Sequence, residues 1–136
     1  MAADLEEGVW RGRSVARVFV APDGTTVLVG KSAEDNDVLS RRMARPYDFW
    51  FHAAGYSGAH VVVRNPLKLK RLSRETRDFA ASLAAGYSGG HEGGRVAVHQ
   101  ALCCDVSKPR GLGAGKVVVK QFQVVEVRPT KGEPID

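Results

Sequence analysis

Residues Asp48–Arg64, DFWFHAAGYSGAHVVVR, decide the fold, because they hold two extended runs on either side of one glycine-containing loop. The first run, DFWFH, alternates phenylalanine with aspartate, tryptophan and histidine, and a strand places alternate side chains on opposite faces. The second run, HVVVR, is rich in β-branched residues that favour strands. In an antiparallel pairing of the two runs, His52 and His60 both lie where strand meets loop, beside a turn that contains Gly55 and Gly58. A core strand has no evident need for that set of polar and aromatic residues on one face, and we therefore expect the functional site here.

The composition describes one globular domain. The chain has 136 residues, of which 43% are hydrophobic and 26% are charged, as in folded proteins and unlike disordered ones. No apolar run approaches the roughly 20 residues that span a membrane, and the acidic N-terminus lacks the apolar core of a signal peptide. We therefore expect a cytoplasmic protein. Cys103 and Cys104 are adjacent, so they are expected to stay reduced rather than to bridge each other.

The basic charge of the chain is concentrated in its middle third. Residues 41–77 carry nine basic and two acidic side chains, whereas residues 1–40 carry four and seven, and residues 78–136 carry seven and six. This excess flanks the central hairpin, which is the pattern of a surface that contacts nucleic-acid phosphates. A merely solvated basic surface is the alternative. The candidate phosphate contacts are Arg41, Arg42, Lys68, Lys70, Arg71, Arg74, Arg77, Lys108 and Arg110.

Hydrophobic periodicity and turn residues predict the element order ββα, ββα, βββ. A hairpin over residues 15–29 precedes a short helix capped by Ser32, and the central hairpin precedes a helix that runs from Ser73 to about Ala85. Gly86 suits the position just after that helix. The fold class is therefore α+β: a single domain with a mixed, mainly antiparallel sheet and two helices. The expected boundaries are a flexible N-terminal arm over 1–14, the domain over 15–129 and a polar C-terminal tail over 130–136.

Short motifs are spread from about Phe19 to Pro129. In chain order they are D-G, L-V-G, N-D-x-L, D-x-W-F-H, G-x-H-V-V, A-A-x-x-A-A-x-x-S, K-P and G-x-V, which begin at Asp23, Leu28, Asn36, Asp48, Gly58, Ala80, Lys108 and Gly115. In this order and spacing, the sequence resembles the NFACT RNA-binding domain. That domain is the C-terminal module of the ribosome quality-control proteins NEMF and RqcH, known earlier as fibronectin-binding protein A. The sequence departs from the family pattern at Ala59 and Ala114, where the family has serine and proline.

The resemblance implies a non-catalytic module that binds RNA, either tRNA or ribosomal RNA of the large subunit, in ribosome quality control. It implies that nucleotides are positioned by Asp48, Trp50, His52, Gly58 and His60. Trp50 points away from both phenylalanines of its strand, so it is expected on a polar face where it can stack on a base. No cofactor, no membrane partner and no DNA specificity are expected, and no oligomeric state is implied. The N-terminal domains and coiled-coil arms of the larger proteins are not in this sequence, so a stand-alone module is expected.

The residues themselves leave other roles open for the two histidines. His52 and His60 could bind zinc, but a zinc site needs a third or fourth ligand, and Asp48, His91 and the cysteines show no recognisable spacing. They could serve an enzyme that acts on a nucleotide or phosphate substrate, although neither an activated nucleophile nor a nucleotide-binding loop is evident. They could also only brace the hairpin. A protein-interaction module is a further possible class of function, and only the older family name supports it.

Overall fold

A computed structural model of the chain describes residues 2–89 and 94–135. The helices are α1 (Ala2–Glu7), α2 (Ala33–Val38), which continues as a π-helix over Leu39–Met43, and α3 (Arg74–Gly86). A short 3₁₀ turn covers Cys103–Asp105. The strands are β1 (Val9–Trp10), β2 (Arg13–Ser14), β3 (Ala16–Val20), β4 (Thr26–Gly30), β5 (Phe49–Ala53), β6 (Val61–Val63), β7 (Val96–Leu102), β8 (Val106–Ser107), β9 (Val118–Val119) and β10 (Gln123–Val127).

Six of these strands form one sheet in the order β10-β7-β5-β6-β4-β3. Both predicted hairpins are present, since β3 pairs with β4, and β5 pairs with β6 with Trp50 opposite Val62. The α+β class is therefore confirmed. The sheet was predicted to be mixed and mainly antiparallel, and every pairing among the described strands is antiparallel.

Helix α3 covers one face of the sheet. Its N-cap is Ser73, whose hydroxyl oxygen accepts a hydrogen bond from the Thr76 amide at 3.2 Å, as the sequence predicted. Small side chains let the helix lie close to the strands, and the buried ones are Ala80, Ala81, Ala84 and Ala85. Gly86 was expected after the helix but is its last residue. A Cβ atom there would collide with the carbonyl oxygen of Thr130, so this position needs glycine for a close backbone approach.

The opposite face of the sheet is also covered, and this overturns the prediction for Trp50. A second apolar cluster contains Leu28, Trp50 and Val62 from the strands together with Leu39 and Met43 from the π-helix. Trp50 is only 2% exposed. The alternation of the strand places Trp50 opposite the phenylalanines as expected, but that face is a second core and not a polar surface.

The short helix begins where the sequence predicted. The hydroxyl oxygen of Ser32 accepts a hydrogen bond from the Asp35 amide at 3.1 Å, which satisfies one of the free amides of the first turn. Leu39 and Met43 are both buried, as their four-residue spacing predicted. They lie in the π-helical turn, which ends before Ala44 adopts an extended conformation.

The N-terminal segment is folded onto the domain, in contrast to the flexible arm that was expected. It forms α1 and the β1–β2 pair, and Leu5 is buried in the second apolar cluster. The Gly8 carbonyl accepts hydrogen bonds from the amides of Val15 and Ala16. Near the other end, the Ile135 amide donates to the Val18 carbonyl at 2.8 Å. Among the described residues, no helix has the length and apolarity needed to cross a membrane.

Candidate nucleic-acid interface

His60 is the centre of a buried hydrogen-bonded chain. The indole Nε1 of Trp50 donates to Ser40 Oγ at 3.2 Å, Ser40 Oγ lies 2.8 Å from His60 Nδ1, and His60 Nε2 lies 2.9 Å from the Gly115 carbonyl oxygen. A carbonyl can only accept, so Nε2 carries the proton and Nδ1 accepts from the Ser40 hydroxyl. Both ring nitrogens are therefore satisfied when His60 is neutral.

The environment of His60 favours this neutral form. Burial, followed by repulsion from the neighbouring His52, lowers the pKa of His60 to about 4, and the hydrogen bond to Gly115 only partly opposes this. The residue is 1% exposed. His60 was expected to contact RNA, but its side chain is enclosed by protein. Its position matches the bracing role that the sequence left open.

Two neighbouring residues of α2 connect this centre to both flanking loops. Asn36 Oδ1 accepts from the His60 amide at 3.0 Å, and Asn36 Nδ2 donates to the Gly58 carbonyl at 3.2 Å. The Asp37 carboxylate accepts from the Gly115 amide at 3.0 Å and from Lys108 Nζ at 3.0 and 3.1 Å. The N-D motif therefore holds the β5–β6 loop on one side and the glycine-rich loop on the other.

Lys108 belongs to this bracing network, not to a phosphate-binding surface. In addition to Asp37, its ammonium group donates to the carbonyls of Gly113 at 2.6 Å and Lys116 at 2.9 Å. Its side chain is 15% exposed. The three donors of an ammonium group are thus engaged within the protein, which corrects the expectation that Lys108 contacts phosphate.

Asp48 is also a structural residue. Its carboxylate is fully buried and accepts from the amides of Asn65 at 2.8 Å and Arg45 at 2.9 Å, and from Arg64 Nε at 3.3 Å. Burial raises the pKa of Asp48, although these hydrogen bonds oppose the shift. Arg64 also pairs with Glu6 of α1. The expectation that Asp48 faces a ligand is therefore wrong, because it anchors the two ends of the central hairpin.

An open groove of about 610 Å³, here called the histidine groove, lies beyond the buried centre. Its floor includes His52 and His99, which are cross-strand partners on β5 and β7. The loop around Gly58 forms one wall and residues 114–119 form the other. His52 is half-buried, and burial, followed by the charge of His99, lowers its pKa. Of the predicted nucleotide-positioning residues, His52 and Gly58 are the two that this groove leaves partly accessible.

A second groove of about 640 Å³, here called the basic groove, contains part of the predicted positive charge. Lys70, Arg71 and Arg77 line it together with Asp105, three glutamines and Phe122. Arg77 also contacts Asp78 at 3.0 Å, while within the described ranges Lys70 and Arg71 make no ion pair. Three of the nine predicted basic residues are thus brought together.

The remaining predicted basic residues lie outside both grooves. Lys68 lies over the ring of Tyr47 at 5.0 Å, and Arg74 is 87% exposed and lies 3.9 Å from Asp78. Arg41, Arg42 and Arg110 are exposed without lining either groove. Whether any of them contacts phosphate stays a prediction.

The sequence reasoning missed His99 and Phe122. Phe122 is 49% exposed, and its ring stacks on the imidazole of His99 with ring centres 4.0 Å apart. A signal was present, because Phe122 is a single aromatic residue between Gln121 and Gln123. Its place beside β7 depends on the pairing of β7 with β10, which local sequence does not specify.

His52 and His60, which were weighed as metal ligands, are neighbours with ring centres 5.4 Å apart. In the described ranges, no three His, Cys, Asp or Glu side chains are grouped so that they could hold a metal ion. His91 lies outside the described residues. Cys103 and Cys104 are both free thiols, and burial raises the pKa of Cys103.

Fold and site together define a small α+β domain with two open grooves, one basic and one lined by histidines, in which motif residues brace the loops of the histidine groove. The family described as "NFACT protein RNA binding domain" matches residues 16–121, and the chain belongs to this family. The resemblance drawn from the sequence motifs is therefore confirmed.

Similar proteins carry this domain within longer chains. The Rqc2 homolog RqcH of Streptococcus suis is 35% identical over 83% of this chain, and that of Bacillus subtilis is 31% identical over 85%. Each match covers 20% of the longer protein, so this chain spans about a fifth of their length. The solved C-terminal part of the fibronectin/fibrinogen-binding protein of Streptococcus suis matches at 34% identity with a TM-score of 0.79. That match covers 87% of this chain and 47% of that one.

Proposed function

We propose that this domain is a non-catalytic RNA-binding module, which binds tRNA or large-subunit ribosomal RNA in the cytoplasm as part of ribosome quality control. The observation that carries the proposal is the basic groove, where Lys70, Arg71 and Arg77 converge in a member of an RNA-binding domain family. Lys70 and Arg71 make no ion pair within the described ranges, and such groups are suited to phosphate oxygens, whereas Arg77 also contacts Asp78. The link to ribosome quality control draws on relatives named RqcH and on a Drosophila melanogaster relative named as a NEMF homolog, a ribosome quality control complex subunit.

The non-catalytic part of the proposal rests on the state of the histidines. The nitrogens of His60 are both engaged in the neutral form, so this ring has neither a free lone pair for a base nor a free proton for an acid. His52 is the more accessible ring, but the side chains on the floor of its groove are His99, Trp50 and His60. Acid–base catalysis needs a group placed to exchange a proton with substrate. A binding role for this surface does not require a residue placed to exchange a proton with a substrate.

The test is a titration of the whole chain against labelled tRNA and against a large-subunit ribosomal RNA fragment at several salt concentrations. Three phosphate contacts predict a slope of roughly −3 in log K against log salt, since each contact contributes about −0.9 on a duplex. The variant Lys70→Glu with Arg71→Glu should reduce both affinity and slope. The matched control is Arg95→Glu with Arg128→Glu, two exposed residues at the far ends of β7 and β10, which should bind like wild type. A flat salt response, or equal losses in both double variants, would refute the proposal.

A second experiment, performed in cells, separates the two RNA classes. Crosslinking followed by sequencing of the bound RNA distinguishes transfer RNA from ribosomal RNA. Recovery of neither class above the level of the Lys70→Glu, Arg71→Glu variant would argue against both.

A further inference from the structure

Phe122 is an uncharged residue in the basic groove, so attraction between basic side chains and phosphates gives it no role. It lies just before β10 and remains about half exposed although one side of its ring is covered by His99. The two rings are inclined by 28°, close to parallel. An exposed phenylalanine on a rigid backing offers a flat apolar surface at little cost in side-chain entropy.

The two grooves meet at this pair of rings. Phe122 lines the basic groove together with Lys70, Arg71 and Arg77, while His99 lines the histidine groove together with His52. Phe122 therefore lies at the border between the two grooves.

The chemistry of the surroundings suits a nucleobase. Gln121 and Gln123 line the basic groove beside Phe122 and are exposed, and their amides provide both donors and acceptors without charge. Base stacking on an aromatic ring tolerates any base, whereas the edge of a base needs polar partners. An apolar protein segment would leave those amides and the adjacent cations without partners, so the surroundings favour RNA over such a segment.

We propose that Phe122 is a stacking platform for one unpaired base of the bound RNA, backed by His99 and flanked by the phosphate contacts of the basic groove. This inference rests on the proposed RNA-binding function and deepens it, because it names single-stranded RNA as the preferred ligand at this position. A base inside a duplex is already stacked on both sides and cannot place its face on Phe122.

The experiment compares two probes of the same mixed sequence, a 12-nucleotide single strand and the corresponding 12-base-pair RNA duplex. Phe122→Ala should weaken single-strand binding about five-fold or more, which is the lower end of the effect of losing one base–aromatic stack. Phe122→Trp should retain the affinity, and duplex binding should change in neither variant. Leu67→Ala is the control, because Leu67 is an exposed apolar residue outside both grooves.

A scan of the single strand with abasic nucleotides locates the base. One abasic position should weaken binding to wild type but not to Phe122→Ala, since the same contact is lost in both. Thermal melting confirms that each variant is folded.

Several results would overturn the proposal. Equal weakening of the single strand and the duplex by Phe122→Ala would mean that stacking is not the cause. Unchanged affinity for both probes would mean that Phe122 serves another ligand, such as a protein. Absence of RNA binding by wild type would refute the RNA-binding function itself, which is a different outcome from failure at Phe122 alone.

Discussion

Replacement of His60 by glutamine tests the buried centre of the domain through the pH dependence of its stability. The pKa of His60 is lowered to about 4 in the folded chain from 6.5, so between these values the unfolded chain binds a proton that the folded chain does not. The free energy of unfolding should therefore fall as the pH drops from 6.5 towards 4. Integration over that interval gives about 3 kcal/mol of stability lost at pH 4 because of His60 alone.

Glutamine keeps hydrogen-bonding groups without the titration. Its amide can donate to the Gly115 carbonyl and accept from Ser40, but it binds no proton in this range. His60→Gln should be less stable than wild type at pH 7.5, and this difference should shrink by about 3 kcal/mol at pH 4. Titratable groups that do not interact with His60 contribute equally in both proteins, so they cancel in the difference.

The measurement is urea unfolding of both proteins at several pH values, followed by tryptophan fluorescence. Ser40→Ala is the control, because it removes a hydrogen bond from the same chain but keeps the buried imidazole. Its stability should follow the wild-type pH trend from a lower starting value. A wild-type minus His60→Gln difference that is constant from pH 7.5 to pH 4 would refute the assignment of a buried neutral imidazole.

Two further predictions concern single positions. Gly86→Ala should lower the melting temperature, because its Cβ would collide with the Thr130 carbonyl. The control is Gly113→Ala, which should melt like wild type because the nearest atom to its Cβ is the flexible end of a lysine at 3.9 Å. Equal melting temperatures for the two variants would contradict the close packing at Gly86. Lys108→Met should destabilise the domain by about 1.5–3 kcal/mol or more, since charged hydrogen bonds to Asp37 and two carbonyls are lost. Its RNA affinity, measured on the folded protein, should match wild type, and a selective loss of affinity would restore Lys108 to the phosphate contacts.

The class of fold could be predicted because local signals in the sequence agree with one another. The N-cap residues Ser32 and Ser73 both act as predicted. The two hairpins are also formed as predicted, because each joins strands that are close in the chain. Strand order was not predictable in the same way, since β7 joins β5 and β10 across long intervals of sequence.

The face of Trp50 could have been predicted better from its neighbours. Val61-Val62-Val63 is an uninterrupted apolar run, and so is Val27-Leu28-Val29. Such runs are typical of strands buried on both faces, whereas a strand with one exposed face alternates. Since Trp50 pairs with Val62 in the middle of such a strand, its face had to be covered. The polar histidines next to Trp50 and Val61 favoured the incorrect prediction that this face is polar.

The roles of Lys108 and Phe122 were beyond the reach of sequence patterns. Lys108 counts as a positive charge in any composition analysis, and only its distances to Asp37 and two carbonyls show that the charge is used inside the protein. Phe122 counts as an apolar residue of a terminal strand, and only its stacking on His99 shows that its ring is exposed and held in place.

The hydrogen bonds of Gly115 also have a consequence for the order in which the domain folds during synthesis. They join Gly115 to His60 and Asp37, across 55 and 78 residues of sequence. Contacts of such long range form late, because the entropy of closing the intervening chain is lost before any contact is gained. While the ribosome is still making the preceding residues, His60 and Asp37 lack these partners. We therefore expect the nascent chain to reach its stable state in one late step, once residues 108–127 have emerged from the exit tunnel.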